Sequence, residues 1–311
     1  MSFSKPLLTL PLAIIAVTFL LVPAAMAEAY YQGPLSCQEC HKEEAKTWET
    51  TVHFLSYRTA HKSKNAKKIA RAVGGKKNMK RNAKCSVCHY SLERKKPEDK
   101  AKVKYGPSCE SCHGASSDWE VIHSDYGGKS VTREQETSEH RAKRIADSSA
   151  AGLAWASDSY DIAANCMKCH GLARSEIDAS DFAKMLEAEH PINTEFEIVL
   201  YSQGRMYHRK GSRTPAQLAK LFVAGQAAKL VSAIQAASSA TDGPYKAAQV
   251  KRASAARTAL QAVPQAAAFL AAPNAANARK LLDDIGQQDL SGQVGALIPC
   301  AKPDRENLRQ C

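Results

Sequence analysis

The sequence predicts a mainly α fold with few strands. An N-terminal part is organised by repeated cysteine–histidine frames, and an alanine-rich helical bundle follows it. Three observations lead there. Eight of the ten cysteines fall in four identical frames: Cys37-Gln-Glu-Cys40-His41, Cys85-Ser-Val-Cys88-His89, Cys109-Glu-Ser-Cys112-His113 and Cys166-Met-Lys-Cys169-His170. Residues 211–280 hold 24 alanines and neither Cys nor His. Aromatic residues make up only 6% of 311, thin for a core of this size, so something other than Phe and Trp is expected to fill the middle of the first part.

The chain opens on a processing segment. Lys5 precedes the apolar run "LLTLPLAIIAVTFLLV" (7–22), and Ala25-x-Ala27 supplies a small-residue cleavage pattern, so residues 1–27 read as a signal peptide. No later segment reaches the roughly 20 apolar residues a membrane span needs. The mature chain is therefore expected outside the cytoplasm, periplasmic or extracellular, without a transmembrane segment.

Ten cysteines in an exported chain would ordinarily suggest disulfides, but the frames argue otherwise. Cys-x-x-Cys pairs also bind zinc, yet a zinc site does not need His directly after each second Cys. Cys-x-x-Cys-His is the attachment signature of a c-type haem. Each thiol adds across one porphyrin vinyl group, the two-residue gap lets one turn reach both, and the adjacent His becomes the proximal iron ligand. Cys37, Cys40, Cys85, Cys88, Cys109, Cys112, Cys166 and Cys169 thus read as the attachment sites of four haem c groups, with His41, His89, His113 and His170 as proximal ligands: a multihaem cytochrome c domain over 28–213.

Six histidines remain for four distal faces. Histidine on a distal face gives a six-coordinate carrier, whereas an empty face gives an iron that binds small ligands. Residues 42–60 contain good helix formers and no Gly or Pro and read as one helix. On it His53 lies too far from His41 to face the same iron, and His61 is rotated by roughly 80° from His53, so the two would serve different haems. His123 follows His113 by ten residues, with Gly114 permitting a turn after the proximal ligand. Ser180 is expected to cap a helix running to Glu189, with Pro191 ending it just after His190. "EFEIVLYSQGRMYHR" reads as a further helix ending at His208. His53, His61, His123, His190 and His208 are the candidate distal ligands. His140, among charges in "TSEHRAKR", reads as solvent-facing.

Residues 62–104 hold 16 Lys or Arg against three acidic residues, an excess larger than the whole chain's +12. This is either a solvated face that offsets haem propionates or a docking patch for an acidic redox partner. Nucleic acid is not expected outside the cytoplasm, and no aromatics interleave the lysines of 62–84. Gly74-Gly75 breaks the stretch. From residue 214 onward, Thr214-Pro215, Asp242-Gly243-Pro244 and Pro273-Asn274 each mark a helix start, and Leu218, Leu221 and Phe222 share one face. The reading is a small antiparallel bundle without cofactor over 214–311. Cys300 and Cys311, outside any frame, are expected to pair in a disulfide.

The first frame with "KEEAKTWETTVH", the run "YGPSCESCHG" leading to His123, and a fourth frame further on resemble the tetrahaem cytochrome c-554 family over roughly residues 30–210. Trp48, His53, "CESCHG" and His123 carry most of that likeness. The resemblance implies a mainly α-helical fold with haems in close pairs, and electron transfer between periplasmic redox proteins. It implies distal ligands at His53, His123 and His208, and a second haem, here that of His89, without a distal protein ligand. His61 and His190 are spare ligands that leave this last point open, and the alanine-rich part lies outside the resemblance. The expected function is electron transfer between redox partners. The alternatives are reduction of a small molecule such as nitric oxide at an open second haem, and a subunit of an extracellular haem filament. No carboxylate dyad, nucleophile triad or phosphate loop stands out.

Overall fold

The computed structural model describes Met1 and residues 28–202 and 212–300. The expected signal peptide, the helix end at His208, and Cys311 fall outside the described residues. The fold is mainly α, with one two-stranded sheet among the described residues. In chain order the elements are α1 (Pro34–Gln38), α2 (Lys42–Glu49), α3 (Val52–Thr59), α4 (Ala66–Ala72), α5 (Ala83–His89), β1 (Ser91–Glu93), β2 (Lys102–Tyr105), α6 (Cys109–His113), α7 (Glu120–Ser124), α8 (Ser138–Ala150), α9 (Ser159–His170), α10 (Ala179–Glu187) and α11 (Ile198–Tyr201). The bundle adds α12 (Pro215–Ser238), α13 (Pro244–Leu260), α14 (Ala267–Ala271), α15 (Ala275–Ile285) and α16 (Ser291–Val294).

The single helix expected over 42–60 is two. The Thr50-Thr51 pair competes for backbone bonds: Thr50 Oγ1 donates to Thr47 O, and Thr51 Oγ1 accepts from Phe54 N and so caps a new helix. α3 therefore leaves the axis of α2 and carries His53 elsewhere. α2 is anchored by Trp48, whose indole N–H donates to Pro107 O at 2.9 Å while its ring meets Phe54 and Tyr105 edge-on. Gly106 lets α3 come close, since a Cβ there would stand 1.9 Å from His53 O.

Gly74 and Gly75 take left-handed backbone, as the break predicted there requires. The turn closes on Asn82, whose buried amide donates to Ala70 O, Gly74 O and Lys76 O and whose Oδ1 caps α5 by accepting from Lys84 N. β1 and β2 pair antiparallel, Leu92 opposite Val103, and bring the chain from the second frame to the third. The start of α10 differs from expectation. Asp178, not Ser180, is the N-cap residue, so the helix begins at Ala179 and ends at Glu187.

The main apolar core lies in the C-terminal half. α12 runs through it with Phe222, Val223, Leu230 and its alanines buried, packed by Leu260, Phe269, Leu281 and Ile285. Thr214 and Gln217 form a reciprocal capping box that starts α12, and Asn274 caps α15. The core does not stop at residue 213: α9 enters it through Tyr160, Ala163 and Met167, so the helix that ends in the fourth frame is a member of the bundle. A smaller cluster joins α4 to α10 through Ile69, Val73, Phe182 and Met185, with Tyr245 from α13. By contrast, Gly33, Pro34, Ala45 and Thr51 are the only buried residues between 28 and 61. No helix among the described residues is long and apolar enough to cross a membrane.

Candidate functional site

Three of the frame histidines stand at a helix end: His89 closes α5, His113 closes α6 and His170 closes α9, while His41 follows α1 and precedes α2. α6 is framed by a capping box between Ser108 and Ser111. Gly114 takes φ 93° behind it, where a Cβ would meet Gly152 O at 2.3 Å. The frames also touch one another. The thiols of Cys37 and Cys109, of Cys112 and Cys166, and of Cys88 and Cys169 are in hydrogen-bond contact. The first frame thus meets the third, the third meets the fourth, and the fourth meets the second. Glu110, inside the third frame and 1% exposed, ties the first pair together by accepting from Gln32 N and Gly33 N just ahead of α1 and from Ser116.

Each of three frame histidines faces a second imidazole. His41 and His123 have ring centroids 6.3 Å apart, His170 and His53 6.0 Å, and His89 and His190 6.0 Å. An iron held between two imidazole nitrogens at about 2 Å each, with each ring centre roughly 1 Å further out, needs centroids about 6 Å apart. The protonation states fit as well. His123 Nδ1–H donates to Glu120 O at 2.5 Å, His190 Nδ1–H to Pro191 O at 2.8 Å and His113 Nδ1–H to Ala154 O at 2.8 Å, which leaves Nε2 as the lone-pair nitrogen. Burial pushes His89 and His170 down to about 4 and lowers His53, His123 and His190, so all five are neutral and able to ligate near pH 7. Phe196 stacks on His170 at 4.2 Å and fixes its ring plane. The residues present fit covalent haem.

The remaining histidines differ. His61 lies in a 3₁₀ turn over 60–62 with its Nδ1 buried and unbonded, and it faces no other imidazole among the described residues. His140 is paired to Glu136 at 2.9 Å, and Glu136 also holds Arg144 through two bonds of 2.7 Å. Arg144 in turn donates to His123 O at 2.9 Å, so the arginine steadies α7 behind His123. His208 lies outside the described residues. Cys300 is disulfide-bonded. The residues that sequence reasoning missed are the second partners: the carbonyls of Glu120, Ala154 and Pro191, the arginine behind His123 and the glycine under His53. Backbone carbonyls leave no trace in residue type, and only Gly106, in "YGPSC", carried a readable signal.

The chain matches the family described as cytochrome c554 and c-prime over residues 36–114, a stretch that contains the first three frames. This segment is similar to the cytochrome c-554 family. A cytochrome c-554 of Nitrosomonas europaea is 29% identical over 112 residues, which cover 32% of this chain and 45% of that protein. The chain thus spans about half the length of the curated relative it matches. No solved structure matches the chain. The cytochrome c-554 segment ends at the third frame. The fourth frame and the bundle that holds it lie beyond, so the likeness implies covalent haem c for the matched segment and leaves the rest of the chain to its own geometry.

Proposed function

We propose that the chain is a periplasmic tetrahaem electron carrier that passes electrons between redox partners. Haem c bound at the four frames would supply one-electron redox chemistry at iron. The three imidazole pairs at 6.0–6.3 Å are the observation that carries this reading. On this reading His41 and His123 serve the first site, His170 and His53 the fourth, and His89 and His190 the second. His113 is the proximal residue of the third, with its Nδ1–H held by Ala154 O. A site with imidazole on both faces moves electrons without binding substrate.

The thiol contacts order the frames first, third, fourth, second, which supports a linear path whose ends are the first and second frames. The protein's part is to space the sites, fix the ligands and keep water out. At the second-frame end, part of the basic run is used internally. Lys68 pairs with Glu189, Lys80 sits over the Tyr57 ring, Lys84 pairs with Asp181 and Lys104 with Glu93. Lys62, Lys64, Lys67, Arg71, Lys76, Lys77 and Arg81 face solvent and form the surface to which an acidic redox partner would dock. His190 opposite His89 speaks against small-molecule reduction at the second site.

The test is the electron paramagnetic resonance spectrum of the fully oxidised holoprotein, with intact mass for the haem count. Four attached haems are expected, with the first, second and fourth low-spin because each has an imidazole on both faces. A high-spin ferric signal of two or more haems per chain would overturn the carrier reading in favour of open, ligand-binding irons.

A further inference from the structure

The second site's distal histidine is held unlike the others. His53 and His123 lie within helices, whereas His190 follows one. α10 ends in a Schellman motif, with His190 N–H donating to Met185 O at 2.8 Å and Glu189 N–H to Leu186 O at 2.9 Å. Glu189 occupies the left-handed position, φ 69°, where glycine is the usual residue. Leu172 is the other non-glycine residue with positive φ among the described residues, and it lies two positions after His170. Both therefore flank a frame or distal histidine, the setting in which backbone strain is retained for a purpose.

Glycine at this position would lack the carboxylate that Glu189 uses. Its Oε2 accepts from Asn65 Nδ2 at 3.0 Å and its Oε1 pairs with Lys68 Nζ at 3.2 Å. Both partners belong to α4 and its N-cap. α4 is also the helix from which the second frame is hung: Asn82, the cap of α5, donates to Ala70 O, and Lys84 Nζ donates to Val73 O. His89 and His190 are thus referenced to one helix, and α10 is tied to α5 a second time by Lys84 and Asp181 at 2.5 Å.

We infer that Glu189 is a positioning residue: its contacts with Asn65 and Lys68 hold His190 against the second haem, and the chain releases this distal ligand more readily than His123. The inference rests on the reading of His190 as that haem's distal ligand. Because Glu189 and Lys68 are both more than half exposed, the clamp is open to solvent, unlike the buried Arg144 that secures His123.

The experiment measures carbon monoxide binding to the reduced holoprotein, and the high-spin ferric signal of the oxidised form, in four proteins: the wild type, His190→Ala, Glu189→Gly and the double variant Asn65→Ala/Lys68→Ala. Glu189→Gly keeps the left-handed backbone and removes the carboxylate, and the double variant removes the same contacts from the α4 side. His190→Ala should open one haem per chain, closed again by added imidazole. Glu189→Gly and the α4 variant should each speed carbon monoxide binding at one haem about 10–100-fold, the range for loss of a partner that orients a metal ligand, with four haems still attached. If His190→Ala opens a haem while both clamp variants bind at the wild-type rate, Glu189 has no positioning role and the ligand reading stands. If His190→Ala opens none, the ligand reading fails and the clamp with it.

Discussion

The first-frame region and the C-terminal bundle are both helical, but their stability has different sources. Between residues 28 and 124 each helix has eight residues or fewer, and few of their side chains are buried. Isolated helices of that length are marginal. α12 and α13 run 24 and 17 residues and enclose a continuous apolar core. The frames of the first region therefore need their cofactor as packing partner, while the bundle carries a core of its own and lends it to the fourth frame through α9.

The largest test of that contrast removes haem attachment by changing the eight frame cysteines to alanine. Hydrogen exchange should become fast across 34–124 and remain slow across 215–285. Equal loss in both regions would mean that the bundle has no independent core. Leu230→Ala, at a position with 0% exposure in the bundle, should cost about 2–5 kcal/mol in chemical denaturation. Because α9 shares that core, it should perturb the fourth haem's spectrum and leave the first haem's unchanged.

A pH test follows from Glu197, buried at the N-cap of α11 with Oε1 unbonded and pushed by burial from 4.5 up to about 7. Between those values the folded chain binds more protons than the unfolded one, so stability falls as pH rises through that window, by on the order of 3 kcal/mol. Lys229, drawn down by burial from 10.5 to about 8, acts in the opposite sense: stability rises with pH between 8 and 10.5. Denaturation midpoints across pH should show both limbs, and Glu197→Gln should flatten the acid one and, by removing the carboxylate that raises Lys229, deepen the alkaline one. Gly106→Ala, which would place a Cβ 1.9 Å from His53 O, should cost about 1–3 kcal/mol and shift the fourth haem's low-spin signal. The smallest effect is expected from Trp48→Phe, which loses one bond to Pro107 O and about 1 kcal/mol of thermal stability.

The sequence by itself determined the features written out in a few contiguous residues. Haem attachment needs two thiols and an imidazole within five residues, so the four frames, with His41, His89, His113 and His170 in them, are legible as text. So are the capped starts of α12 and α15, and the basic run of 62–104. Local competition already exceeds what such reading resolves: the Thr50-Thr51 pair splits 42–60 in two where helix propensity alone predicts one helix.

Only the tertiary structure decided what lies across three of the four frame histidines. His53 meets His170, His123 meets His41 and His190 meets His89 because turns, caps and helix packing carry them there from distant parts of the chain, and residue type does not encode a destination. His61 has the same chemistry and proximity in sequence, yet it faces no imidazole among the described residues. The bundle's hold on the fourth frame is of the same kind. Gln249 and Arg252 of α13 donate to Gly171 O, and Tyr245 donates to Leu172 O. These are carbonyls beside His170 that satisfy a buried polar requirement, and they become specific only once the two helices have met.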